Sequence, residues 1–216
     1  MPRTARNQEF DVPSSGQIIA ERSNVLRRIV EPDVNLALWQ RPTQESIVRE
    51  LSKLQASDLR DVRRPTSLRS FDDDVVALLA EQNLDPFVLV SFRSDMHQLA
   101  EMFFSINDSP EAEFRLVTTD RDNCRRFHVD RRRLRLLCTY QGPGTEWLTE
   151  EQVDRVALAG CLPNSAVVRF GQPSRFARFW VGIMKGDPEN EGWGLVHRSP
   201  PIEGSGQVRV LFCLDS

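Results

Sequence analysis

Histidine is scarce in this chain, with His97, His128 and His197 the only three in 216 residues. Imidazole-based metal or acid–base chemistry therefore has few ways to be built. Lysine is scarcer: Lys53 and Lys185 stand alone, so 26 of the 28 basic residues are arginines. That skew either serves fork-shaped anion recognition or reflects a GC-rich genome. The four cysteines, Cys124, Cys138, Cys161 and Cys213, form no C-x-x-C pair, which excludes a zinc ribbon and a thioredoxin-like motif and suits a reducing interior. No apolar run approaches the roughly 18 residues of a membrane span. The N-terminal MPRTARNQEFDVPSSG has no apolar segment behind its arginines. A cytoplasmic protein without a membrane partner is expected. A net charge of −3 lacks the footprint of a nucleic-acid binder, so nucleic acid is not an expected partner.

An apolar fraction of 40% and a charged fraction of 27% exclude a disordered or collagen-like chain. After a polar start, VNLALWQ reads as extended. RPTQESIVRELSKLQ then carries a helix start at Pro42 and Thr43 before apolar Ile47, Val48, Leu51 and Leu54. FDDDVVALLAEQ is a second helix, with Asp72, Asp73 and Asp74 expected to cap it. Met96, Leu99, Ala100, Phe103 and Phe104 make the stripe of a third, with His97 beside it at the rim. From about residue 109 the period changes. Segments 113–119, 126–129, 133–140, 165–170, 178–184, 194–197 and 207–214 read as short strands, which predicts a barrel or sandwich. The expected class is α+β: a mainly helical region over 1–108 packed on a metal-binding β-barrel over 109–216.

Chemistry concentrates in that barrel. His128-Val129-Asp130 is an H-x-D step at a strand exit, where positions i and i+2 share a face and can offer an imidazole and a carboxylate to one ion. His197 is the other strand histidine, and Arg209 follows it in the final strand. Two imidazoles and one carboxylate make the facial triad of non-haem Fe(II) oxygenases. The plainer alternatives are a His128–Asp130 hydrogen bond and a core His197. Cys124 would add a soft ligand favouring zinc only if the strand bends; otherwise it is a buried free thiol. Tyr140 shares a face with Leu134, Leu136 and Cys138, from which its phenol would reach either a co-substrate carboxylate or a backbone partner. Gly142 to Thr145, with Glu146 and Trp147, forms a turn or one lip of the site. Trp193 walls a cavity or fills the core. The arginines flanking His128, from Arg121 to Arg135, either steer an anionic substrate or form a solvated, ion-paired rim.

HRSPPIEGSGQVR resembles the H-x-x-x-P-V-x-x-G-x-R signature of prolyl-hydroxylase-like 2-oxoglutarate oxygenases, with His197, Pro201, Ile202 and Arg209 in the corresponding places and a longer turn carrying Gly204 and Gly206. The resemblance implies a double-stranded β-helix (jelly-roll, cupin-like) barrel. It implies Fe(II) held by His128, Asp130 and His197 as the catalytic centre, and 2-oxoglutarate anchored by Arg209, with Arg198 or Arg135 as substitutes and Tyr140 assisting. FHVD, LLCTYQGPGTEW, KGD and HRSPP are in addition similar to a bacterial family, the domain-of-unknown-function family 1826. That likeness implies a zinc-homeostasis context and association with a zinc-homeostasis GTPase. The leading expectation is an oxygenase. The alternatives are a non-enzymatic zinc-binding barrel and a zinc hydrolase with Glu146 as base.

Overall fold

The computed structural model describes residues 16–122, 124–187 and 193–216; the polar start over 1–15 lies outside them. The three expected helices are present. In α1 (Glu45–Leu51), Ile47 and Leu51 are one turn apart and both buried. In α2 (Phe71–Glu81) the buried stripe is Phe71, Val75, Leu78 and Leu79. None of its three aspartates caps it. Asp74 accepts from Thr66 instead and Asp72 sits 3.0 Å from His97, while all three lie in the first turn, where their charge favours the helix dipole. α3 (Val90–Phe104) starts well before its apolar stripe because its N-terminus is satisfied from elsewhere. The Glu50 carboxylate of α1 accepts the Ser91 and Phe92 N–H groups at 2.9 and 2.8 Å.

Among the described residues ten strands form two sheets. Those preceding the barrel region are β1 (Gln17–Ala20), β2 (Leu36–Trp39) and β3 (Val62–Ser67). They are followed by β4 (Glu111–Thr119), β5 (Leu134–Gln141), β6 (Glu146–Trp147), β7 (Ser174–Arg175), β8 (Val181–Lys185), β9 (His197–Arg198) and β10 (Arg209–Asp215). The large sheet runs β1-β2-β8-β5-β10-β4-β3, antiparallel except for the β1–β2 pair, and the small one runs β7-β6-β9. The strand expected over 126–129 is reduced to one bridge, His128 to His197, at the edge of the small sheet. The large sheet crosses residue 108, taking β1, β2 and β3 from the region expected to be mainly helical. β3 carries Pro65 and lies at an edge, where a missing N–H is tolerated. The strand expected over 165–170 is instead α5 (Asn164–Val167), which opens after Pro163 and packs against α4 (Arg155–Ala159).

The central strands of the large sheet are buried on both faces, so alternate residues of β5 and β10 serve different cores. Leu134, Leu136, Cys138 and Tyr140, with Val210, Phe212 and Leu214, pack under α1 to α3. Leu137, Leu211 and Cys213 face the other way, against Trp147, Phe176 and Leu195 from the small sheet and its flanks. Residues from 148 to 168 then cover the outer face of the small sheet, packing with Phe127 and Val196 around Leu148, Val153, Ala157 and Val167. Among the described residues no helix is long and apolar enough to cross a membrane.

Within the helix-side core Arg41 grips Asp95 with two hydrogen bonds at 2.6 and 2.7 Å, and Tyr140 Oη and Gln44 Nε2 donate to the same carboxylate. Arg41 Nε also donates to the Phe179 carbonyl, fixing a non-glycine residue at φ +68°. Removing Asp95 leaves a buried guanidinium without its counter-charge. Asp95→Ala is expected to cost about 3–5 kcal/mol, and Tyr140→Phe about 1.5–3 kcal/mol, both read from urea unfolding.

Candidate metal centre

Three backbone features bring the site together. The His128 and His197 segments exchange reciprocal N–H to carbonyl bonds of 3.0 Å each, so both imidazoles emerge on one side of the small sheet. Trp147, directly opposite His197, lies in the core between the sheets, which places the histidine pair on that inner side. Glycine then lets a third segment cross behind Asp130. The Asp187 N–H donates to the Asp130 carbonyl at 2.7 Å, and a Cβ on Gly186 would clash with the Arg132 and Asp130 carbonyl oxygens. Gly194 is equally confined, against Val129 and Gly186.

The ligating atoms offered by His128, Asp130 and His197 all lie within 4.8 Å of one another, the one such group found among the described residues. Asp130 Oδ1 is 3.7 Å from His128 Nε2, and Oδ2 is 3.4 Å from His197 Nε2. The two Nδ1 atoms contact the Arg126 and Leu195 carbonyls at 2.9 and 3.1 Å. A carbonyl only accepts, so both Nδ1 carry the proton and both Nε2 lone pairs are left facing Asp130. The rings are 4.5 Å apart, a close approach that disfavours charging both.

Electrostatics separate the three groups. Burial drives His197 down to about 4, the nearby Asp130 charge only partly compensating, so this imidazole is neutral at physiological pH. Burial also opposes charge on His128, but the facing Asp130 carboxylate and the Arg126 carbonyl outweigh that and raise its pKa. Asp130 is held well below the usual carboxylate range: burial works against its charge, and His197, His128 and Arg135 overcome it. Arg135 Nη1 lies 2.7 Å from Asp130 Oδ2, while its Nε and Nη2 grip Asp215 at 2.5 and 2.8 Å. Despite that proximity, Asp130 Oδ2 has no aligned hydrogen-bond donor. A buried, ionised carboxylate with an unfilled acceptor beside two imidazole lone pairs is a donor set suited to a divalent metal ion.

Arg209 is the second unusual group. It is 3% exposed and faces the space between the sheets, as Leu211 and Cys213 do on the same strand. Its Nη2 donates to Thr145 and Thr139 at 2.7 and 3.2 Å, its Nε has no partner, and among the described residues no carboxylate pairs with it. Burial lowers its pKa to about 10. A β-bulge between β5 and β10 begins next to it, between Val210 and Leu211.

Other expected contributors are placed elsewhere. Tyr140 lies on the helix face of β5 with its hydroxyl on Asp95, so it cannot contact a co-substrate between the sheets. Arg135 holds Asp130 and Asp215 and has no free fork for a second anion. Arg198 is committed to Glu146 at 2.7 Å and stacks 4.6 Å from the Phe127 ring. Glu146 pairs with Arg198 and Arg175 and is no free base. Trp193 is 59% exposed beside Arg155, neither wall nor core. Cys124 is exposed, not buried, and lies outside the ligand group; His97 sits on α3 between Asp72 and Glu101. The role of Arg135 was missed in the sequence, although its place five residues after Asp130 and at odd spacing to Tyr140 already set it on the opposite face of β5.

No curated protein sequence matches the chain. Among solved structures it is similar to a "putative oxygenase" from Shewanella oneidensis, at 13% identity over 92% of this chain and 88% of that one, with a TM-score of 0.45. A Pseudomonas putida prolyl-4-hydroxylase matches at 9% identity over 82% and 94%, TM-score 0.33. A full-length Neurospora crassa protein in complex with alpha-KG matches at 16% identity over 59% of this chain and 47% of that one, TM-score 0.35. The family model described as "Protein of unknown function (DUF1826)" matches residues 20–215, and the chain belongs to that family.

Proposed function

We propose that the protein is a non-haem Fe(II)- and 2-oxoglutarate-dependent oxygenase, built on a double-stranded β-helix. The chain path supports the fold. From β4 onward the chain alternates between sheets: β4 in the large one, the His128 segment in the small one, β5 large, β6 and β7 small, β8 large, β9 small and β10 large. The pairing orders, β8-β5-β10-β4 facing β7-β6-β9-His128, are those of two interleaved four-stranded sheets.

The observation that carries the function is the coexistence, on the inner side of the two sheets, of a two-histidine, one-carboxylate set and a buried guanidinium with no anion. An unpaired buried cation is costly, and a carboxylate brought in by a ligand would relieve that cost. Fe(II) bound with 2-oxoglutarate supplies O2 activation for hydroxylation. The chain's own residues have narrower tasks. His128 and His197 would present Nε2 to the metal because their Nδ1 protons are held by backbone carbonyls. Arg135 would keep Asp130 ionised and oriented. Arg209, backed by Thr139 and Thr145, would take the distal carboxylate of the co-substrate through its fork. Leu137, Leu211, Trp147, Phe176 and Leu195 close the inter-sheet space to water.

Two outcomes follow from this reading. Anaerobic addition of Fe(II) and 2-oxoglutarate is expected to give a weak visible charge-transfer band; His128→Ala abolishes it, whereas Arg209→Met retains iron and weakens 2-oxoglutarate binding at least tenfold. An iron-loaded protein that binds no 2-oxoglutarate by calorimetry, or one that holds zinc tightly without exchange for iron, overturns the assignment. Without ligand, Arg209→Met should leave stability unchanged or raise it by up to about 3 kcal/mol, since it removes an unpaired buried charge. A marked loss of stability in urea would instead make Arg209 a structural residue.

A further inference from the structure

The arginines around His128 divide into two sets. Those after the H-x-D step are occupied: Arg132 pairs with Glu113, Arg133 with Asp108, and Arg135 with Asp130 and Asp215. Those immediately before it are not. Arg125 has no side-chain hydrogen bond or ion pair among the described residues, and Arg126 spends one nitrogen on the Cys161 carbonyl at 3.2 Å. A solvated, ion-paired rim accounts for the first set only.

Arg125 and Arg126 share with Arg198, Asp122, Asn164 and Ser199 the wall of a cavity of about 390 Å³. Its backbone is braced. Asn164 donates to the Arg125 carbonyl at 2.8 Å and accepts the Phe127 N–H at 2.9 Å, and the Ser199 N–H donates to the Cys124 carbonyl at 2.8 Å. Arg198 is fixed by Glu146 behind it and Phe127 beneath it. The one carboxylate on the wall, Asp122, uses Oδ1 to accept the Ile202 and Glu203 N–H groups at 2.6 and 2.9 Å. Three guanidiniums thus border the cavity against one carboxylate, and two of the three form no ion pair among the described residues.

We infer that this cavity binds the phosphate group of a small phosphorylated molecule. Two guanidiniums that form no ion pair among the described residues match the double charge of a phosphate monoester better than a single carboxylate, and planar forks match its oxygens. The concave shape and the absence of an exposed stacking ring on its wall argue against a nucleic-acid strand, since Phe127 is already covered by Arg198. The cavity lies on the outer face of the small sheet, where Arg198 stacks on Phe127, and is joined through the backbone to the triad on the inner face. Arg126 and Arg198 are each within two residues of a triad histidine, and the Arg126 carbonyl holds His128 Nδ1.

The test uses the full chain stripped of metal with EDTA, titrated with inorganic phosphate, ribose 5-phosphate and ribose by calorimetry. Saturable binding of both phosphates and none of ribose is expected. The R125Q/R126Q variant should lose at least tenfold in affinity, and R169Q/R178Q, which removes two exposed arginines elsewhere, should match the parent. His128→Ala should still bind phosphate, and the R125Q/R126Q protein with Fe(II) should bind 2-oxoglutarate normally. Unsaturable binding, or equal losses in the two double variants, overturns the site. An oligonucleotide that binds more tightly as it lengthens overturns the small-molecule class. Phosphate binding that depends on Arg125 and Arg126 in a protein unable to bind 2-oxoglutarate would leave the site standing and remove the oxygenase reading alone.

Discussion

The period-two alternation of β5 and β10 is the constraint on which the rest of this structure depends. Both strands lie inside the large sheet and are covered on both faces, so every residue must satisfy one of two different environments. One face is almost wholly apolar and meets the helices. The other carries Arg135, Thr139, Arg209 and Asp215 among leucines and a cysteine, facing the small sheet. A one-residue slip in β5 would turn Arg135 towards the helices and Tyr140 towards the small sheet. The bulge next to Arg209 is the one place where the register of the two strands is relaxed, and it lies beside the uncompensated charge.

Two buried arginines show how differently the fold treats like groups. Arg41 is paired, hydrogen-bonded on all sides and clamped to a strained backbone turn; it organises the helix-side core. Arg209 has two hydroxyls and an empty Nε. A structure that neutralises one buried cation so completely has the means to neutralise the other, and an unsatisfied one is therefore informative. Proteins store such disadvantage where a ligand is to be received, and the stability forgone there is recovered when the ligand binds.

Much of this was legible in the sequence. The triad could be named because its elements are local: an i, i+2 pair at a strand exit, and the only other histidine in a candidate strand. Helix positions were legible from apolar spacing. The start of α3 was not, because its N-terminal N–H groups are satisfied by Glu50, 41 residues away from Ser91. The segment 165–170 read as a strand because its β-branched residues outweighed the helix-opening Pro163. Tyr140 was placed with the right neighbours but the wrong core: alternation tells which residues share a face and not which face looks inward. The partition of the arginine run was illegible for the same reason, since carboxylate partners such as Glu113 and Asp215 are contributed by other strands.

The two-residue strand β9 and the single bridge at His128 are very short pieces of β-structure to hold a site together. They join positions 69 residues apart in a chain whose four cysteines are all free thiols. A metal ion shared by His128 and His197 would be a cross-link closing that long loop, and its effect on the unfolded chain would be that of a disulfide. The same ion would then serve chemistry and topology together, and the jaw formed by β9 and the His128 segment would open more readily in the metal-free protein than any other part of the barrel.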